Sequence, residues 1–145
     1  MSLLVSIDFS EVTDAQIDIV DSLASPKREI HLLHVTEPDP SFVGLEAGPE
    51  EVQKQVASEL QHAHDALNAL ADRLRANGHT VDTLLVPGPT VQTILEQAEK
   101  LDADVIVMGS HGRGKLFDLV VGSVSAGVIR KSPVPVLVVP AQSET

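Results

Sequence analysis

The segment Met108-Gly-Ser-His-Gly-Arg-Gly-Lys-Leu-Phe-Asp-Leu-Val-Val-Gly-Ser-Val124 concentrates the residue types that can hold a phosphate. Gly109, Gly112 and Gly114 follow one apolar run, and Gly122-Ser123 stand before another. Glycine allows backbone dihedrals and close approaches that a Cβ forbids, so several N–H groups can converge on phosphate oxygens. A helix start nearby would add positive potential, and Ser123 a hydroxyl donor. The same glycines would equally turn the chain and let the next helix pack closely, and spacing alone leaves both readings open. Arg113 and Lys115 divide the same way, between clamping a terminal phosphate and being solvated loop charges.

Two familiar phosphate motifs can be tested against this segment. Gly109 and Gly114-Lys115 satisfy G-x-x-x-x-G-K, but Leu116 stands where a Ser or Thr would ligate Mg²⁺, and the segment does not open the domain. A P-loop NTPase is therefore disfavoured. The dinucleotide fingerprint fails similarly, because Gly112-x-Gly114 would need a small residue at Phe117. The spacing that remains is Gly109-x2-Gly112-x9-Gly122-Ser123.

Other polar residues offer less. Asp8 can serve as a metal ligand, a general base, a ligand acceptor or a cap of the turn that follows it. His111 lacks a paired acid or evident nucleophile, which favours a loop residue touching a ligand over a base. His31 and His34 lie three apart on a strand and face opposite ways, and His62 and His64 are two apart on a helix, so neither pair has usual metal spacing.

The elements that must position these residues alternate. Leu3 to Ile7 reads as a strand, followed by a helix with Val12, Ala15, Ile19, Val20 and Leu23 on its apolar face and Ser10 or Thr13 as cap. Pro26 ends that helix, and Glu29 to Val35 is a second strand. Thr36 to Gly48, with two prolines and two glycines, reads as a loop that could be a lid or a linker. A long helix from Pro49 to a stop at Gly78 carries Val56, Leu60, Ala63, Leu67, Leu70 and Leu74 at spacings of four and three. That stripe suits a helix laid on a sheet better than a coiled-coil seam. Val81 to Val86, Val91 to Leu101 and Ala103 to Met108 follow as strand, helix and strand, with Ile94, Leu95 and Ala98 facing inward. Leu119 to Lys131 is a fourth helix and Val134 to Val139 a fifth strand. The rhythm argues for an α/β fold with a doubly wound parallel sheet. Pro135 cannot donate to a ladder, so the last strand belongs at an edge or at a chain-to-chain seam. Ligands of such sheets bind beyond the carboxyl ends of the strands, where Asp8, Val35 and Gly109 fall.

Composition narrows the function. The 145 residues suit one domain spanning 1–145, with a loop over about 36–48 and a frayed tail over about 141–145. A net charge of −11 opposes a phosphate-backbone surface, and three Phe without Trp or Tyr provide almost no stacking platform, so nucleic acid is excluded as partner. Without Cys there is no disulfide, thiolate nucleophile or Cys-based zinc site. The start lacks a basic n-region, and no apolar run reaches about 18 residues, so a cytoplasmic location without membrane insertion is expected.

Four stretches taken together resemble one family. They are Val-Ser-Ile-Asp8-Phe-Ser10, His-Leu-Leu-His-Val35, Ala-Asp-Val-Ile-Val-Met-Gly-Ser-His-Gly112 and Pro-Val-Pro-Val-Leu-Val-Val139. With the glycine spacing, they are similar to the nucleotide-binding branch of the universal stress proteins (UspA-like) along the whole chain. The resemblance implies a five-stranded parallel sheet of order 3-2-1-4-5 with helices on both faces, Rossmann-like and of the adenine nucleotide alpha hydrolase type. It implies ATP or AMP as ligand, with or without Mg²⁺. Gly109, Gly112, Gly122 and Ser123 would contact phosphates and ribose, Asp8 and Val35 the adenine, and Ser6, Met108, His111, Arg113 and Val124 complete the candidate site. It also implies a homodimer through Val134 to Val139 and a regulated partner protein in the stress response. The chain departs at Ser6, where many members carry Pro, and at Gly88-Pro89, where Gly-x-Pro is commoner. Three functions follow: a regulatory nucleotide switch, favoured; a slow ATPase or phosphotransferase; and a partner-binding module without nucleotide.

Overall fold

The structure, a computed structural model, describes residues 2–23, 28–36, 50–110 and 122–140, with the backbone alone for 50–53. Five strands, β1 (Ser2–Ser6), β2 (Glu29–Thr36), β3 (Thr80–Pro87), β4 (Val105–Gly109) and β5 (Val136–Val139), form one sheet of order β3-β2-β1-β4-β5. Every pairing is parallel. The helices between them are α1 (Thr13–Leu23), α2 (Glu50–Ala76), α3 (Thr90–Lys100) and α4 (Ser123–Lys131). The expected doubly wound architecture and strand order are those observed.

Alternation along the strands sorts the core into two layers. Leu3, Val5 and Ile7 of the first crossing, with Ile30 and Leu32, pack beneath α1 and α2 against Ile17, Val20, Leu67, Ala71 and Leu74. Leu4, Leu33, Ile106 and Met108 pack on the opposite side against Ile94, Ala98 and Val128 of α3 and α4. Because β1, β2 and β4 are covered on both faces, they read as nearly continuous apolar runs.

Several boundaries differ from those the sequence suggests. The buried face of α1 is Thr13, Gln16, Ile17 and Val20, whereas Ile19 and Leu23 are 39% and 49% exposed. A one-sided sheet contact selects the i, i+3, i+4, i+7 set and leaves the neighbouring apolar residues outside it. Neither Ser10 nor Thr13 stands at the capping position, because the Val12 carbonyl accepts the first helical bond from Gln16 N–H at 2.9 Å. Ser10 shapes the turn before it, its hydroxyl accepting from Val12 N–H at 3.4 Å and its carbonyl from Thr13 N–H at 3.1 Å. Helix α4 starts at Ser123, because Gly122 is its N-cap with extended ψ 162°, and Leu119 to Val121 of the expected helix lie outside the described residues. Strand β4 starts at Val105, since Ala103 N–H still bonds the Ala98 carbonyl at the end of α3. Strand β5 starts at Val136, although the Pro135 carbonyl accepts from Ile106. The turn at Pro26, the loop over 37–48, Pro49 and the tail over 141–145 lie outside the described residues.

Helix α2 lies on the sheet only at its end. At 27 residues it is about 40 Å long, against about 26 Å for the eight residues of β3. Arg75 Nη2 donates to the Val81 carbonyl at 2.7 Å, and Thr83 bonds Asn68, which fixes its C-terminal half along β3. The earlier turns therefore overrun the carboxyl edge, and Leu60 is 40% exposed. Gly78, with φ +93°, closes the helix as expected and donates to Arg75 O at 3.0 Å. At the opposite, amino edge, buried His79 Nε2 meets Asp21 Oδ1 at 2.8 Å and Asn77 donates to Asp21 Oδ2 at 3.0 Å, tying α1 to the end of α2. The His79 hydrogen bond, then that from Asn77, holds the Asp21 carboxyl below its ordinary value.

Candidate functional site

The exit from β1 is fixed by two side chains that take its carbonyls. Gln16, 1% exposed, donates through Nε2 to the Ser6 carbonyl at 2.9 Å. His34 Nδ1 lies 2.7 Å from the Ile7 carbonyl, and its ring stands 4.7 Å from that of Phe9. Phe9 itself has φ 58°, a left-handed conformation uncommon for a bulky residue. The chain thus turns sharply after Asp8, whose side chain is exposed and accepts from Ser10 N–H at 2.9 Å. One Asp8 carboxylate oxygen serves the turn, and a carboxylate has lone pairs to spare for a second donor.

The exit from β4 leads to the start of α4. Ser110 N–H donates to Val139 O at 2.9 Å, extending the β4–β5 ladder by one bond. Gly122 N–H returns to Ser110 O at 2.6 Å, and Ser125 Oγ donates to Gly109 O at 2.6 Å. The two bonds pin the N-terminus of α4 against the end of β4. The Gly122 cap makes no side-chain hydrogen bond, so the first-turn N–H groups of α4 receive no cap from it.

Register gathers the ends. Ser6 is level with Leu33, and Val5 with Val107, so Asp8 lies near the level of Val35 and Ile7 near that of Gly109. Strand order reverses between β1 and β4, where open α/β sheets bind their ligands. Ser6, Asp8, Val35, Gly109, Gly122, Ser123 and Val124 all fall at this carboxyl edge. Met108 does so through its backbone only, since its side chain is 3% exposed in the core. Val35 and Val124 pack against the same α3/α4 layer. His111, Gly112 and Arg113, with Gly114 and Lys115, lie outside the described residues.

A third exit, after β3, adds a constraint. Gly88 has φ +146°, and a Cβ there would come within 2.6 Å of the buried Thr93 hydroxyl. Its N–H donates to the Thr36 carbonyl at 3.1 Å, which joins the ends of β2 and β3. Among the described residues no group of three or more His, Asp or Glu gathers to hold a metal ion. His31 and His34 face opposite sides of the sheet as expected, His31 lying 3.4 Å from Asp82.

The Universal stress protein family pattern matches residues 1–140. The chain belongs to that family. It is 31% identical to Universal stress protein MJ0577 of Methanocaldococcus jannaschii over 94% of this chain and 93% of that one. The MJ0577 structure superposes with a TM-score of 0.84 at 30% identity, covering 99% and 97% of the two chains. A universal stress protein from Archaeoglobus fulgidus in complex with dAMP aligns with a TM-score of 0.67 at 20% identity over 96% and 97%. Another, in complex with cAMP, aligns with a TM-score of 0.64 at 23% identity over 98% of each chain. At those last identities the likeness is one of fold.

Within this universal stress protein, sequence reasoning missed Gln16 and His34. The signal for Gln16 was its place four residues after Val12 on the helix face turned to the sheet. For His34 the sequence spacing bears only on metal ligation and gives no sign of a backbone partner 27 residues away. Both act by taking backbone carbonyls where the chain leaves the sheet, which only the folded register reveals.

Proposed function

We propose that this protein is a regulatory nucleotide-binding protein that takes ATP or AMP at the carboxyl edge of the sheet. The carrying observation is the start of α4, a nine-residue helix capped by a glycine and pinned by Ser110 and Gly109 at the strand-order reversal. Its first-turn N–H groups, which receive no side-chain cap from Gly122, and its dipole suit phosphate oxygens, with Gly109, Gly122 and the Ser123 hydroxyl around them. Gly112, His111 and Arg113 would add to that cradle. The exposed Asp8 carboxylate is suited to accept from the adenine amino group, with Ser6, Val35, Val124 and the Met108 backbone beside it. Relatives of the same fold solved with cAMP and dAMP support an adenine nucleotide as the ligand class. Mg²⁺, where present, would arrive on the phosphates.

Binding of this kind would bias association with a regulated protein in the stress response, within a single cytoplasmic domain. A homodimer through β5 belongs to the same reading. The test is mass spectrometry of the denatured purified protein for co-purified ATP or AMP, backed by titration calorimetry. Nucleotide should be found and should be lost in Gly122→Val, whose side chains crowd the phosphate position. Failure of both measurements would favour a nucleotide-free partner-binding module. Steady phosphate release at ordinary enzyme rates, abolished by Gly122→Val, would instead make it an ATPase.

A further inference from the structure

From Ser123 and Val124 at the carboxyl edge, a groove of about 1090 Å³ runs outward between α3 and α4 and on to the segment entering β5. Its apolar floor is made by half-buried Val91 and Leu95 of α3, Val124 of α4 and Val134. Its α3 rim is acidic: Glu96, Glu99 and Asp102 are all exposed. Glu96 takes the Gln92 amide at 2.8 Å, and no ion pair engages any of the three among the described residues. A single cation on the opposite wall, Lys131, is likewise unpaired among those residues.

We propose that this groove docks a basic amphipathic helical segment of a partner protein. Apolar anchors at helical spacing would fill the floor, and Lys or Arg on the flank of that helix would meet the three carboxylates. The eleven residues of α3 span about 16 Å, room for about three turns of a guest helix. Charge argues against the other occupants. A nucleotide or anionic lipid surface would bring phosphates to an acidic rim, and a second copy has only 10 Lys and Arg among 145 residues with which to meet it. The inference does not rest on nucleotide binding.

The probe is a fluorescent synthetic helical peptide with leucines on one face and lysines beside them, followed by anisotropy against the full chain. The wild-type protein should bind it, and Glu96→Lys with Glu99→Lys should weaken binding about tenfold or more. An equal charge change on the exposed face of α2, Glu59→Lys with Asp65→Lys, should weaken it far less. Melting curves establish that both variants fold. Equal weakening by both pairs would reduce the effect to general attraction by an acidic protein and overturn the proposal. So would failure of the wild type to bind, or a sedimentation mass that falls only in the Glu96/Glu99 variant, which would make a second copy the occupant.

Discussion

Asp21 shows how a surface carboxylate acquires a structural role. Its pKa is lowered by hydrogen bonds from His79 and Asn77. A depressed folded-state value contributes stability that is complete above the unfolded value of about 3.9 and is lost as pH falls through the folded one. Urea midpoints measured from pH 6 downward should therefore drop more steeply for the wild type than for Asp21→Asn at the acid end. Parallel curves would show that the hydrogen bonds carry no linkage. The sequence exposed Asp8 and Gly109 because they follow apolar strand runs, and Gly122-Ser123 because a glycine and a hydroxyl precede a helical one. It concealed Asp21, Gln16 and His34, whose partners lie 10 to 58 residues away. No periodicity encodes such distances.

At the scale of elements, the strand and helix order was legible because the sheet is covered on both faces, which turns each central strand into an apolar run. Ends were less legible, and the reason is local competition. Gly122 sits in an apolar helical pattern but has an extended backbone, so α4 begins after it. Gly127, inside α4, has a different purpose. A Cβ there would approach Val91 Cγ2 to 2.9 Å, so the glycine lets α3 and α4 meet closely. Replacing it with Ala gains helix propensity of about 1 kcal/mol but must displace Val91. Gly127→Val should overpack the contact and lower stability by about 1–3 kcal/mol in urea denaturation. Adding Val91→Ala should restore part of that loss. Strict additivity of the two changes would show that the helices do not touch there.

The molecule as a whole ends in two sheet edges of different character. In β5, the carbonyls of Pro135 and Val139 accept from β4, so alternation turns the N–H and C=O groups of Val136 and Val138 outward. Pro135 has no N–H to lose, and the expected edge position is the one observed. Val136→Pro would remove an outward donor while sparing the ladder to β4. If β5 joins two copies, that variant should sediment as a monomer with an unchanged circular dichroism spectrum. An unchanged dimer would move the interface elsewhere.

The other edge, β3, has the guanidinium of Arg75 on its Val81 carbonyl and terminates at Pro87. A pair formed through β5 thus uses up its one inviting edge, and what remains outside is a strand already engaged by a side chain. If copies pair through β5, growth into longer sheets at β3, the hazard of parallel strands rich in valine and leucine, would have to displace that arginine from the Val81 carbonyl on the far side of the sheet.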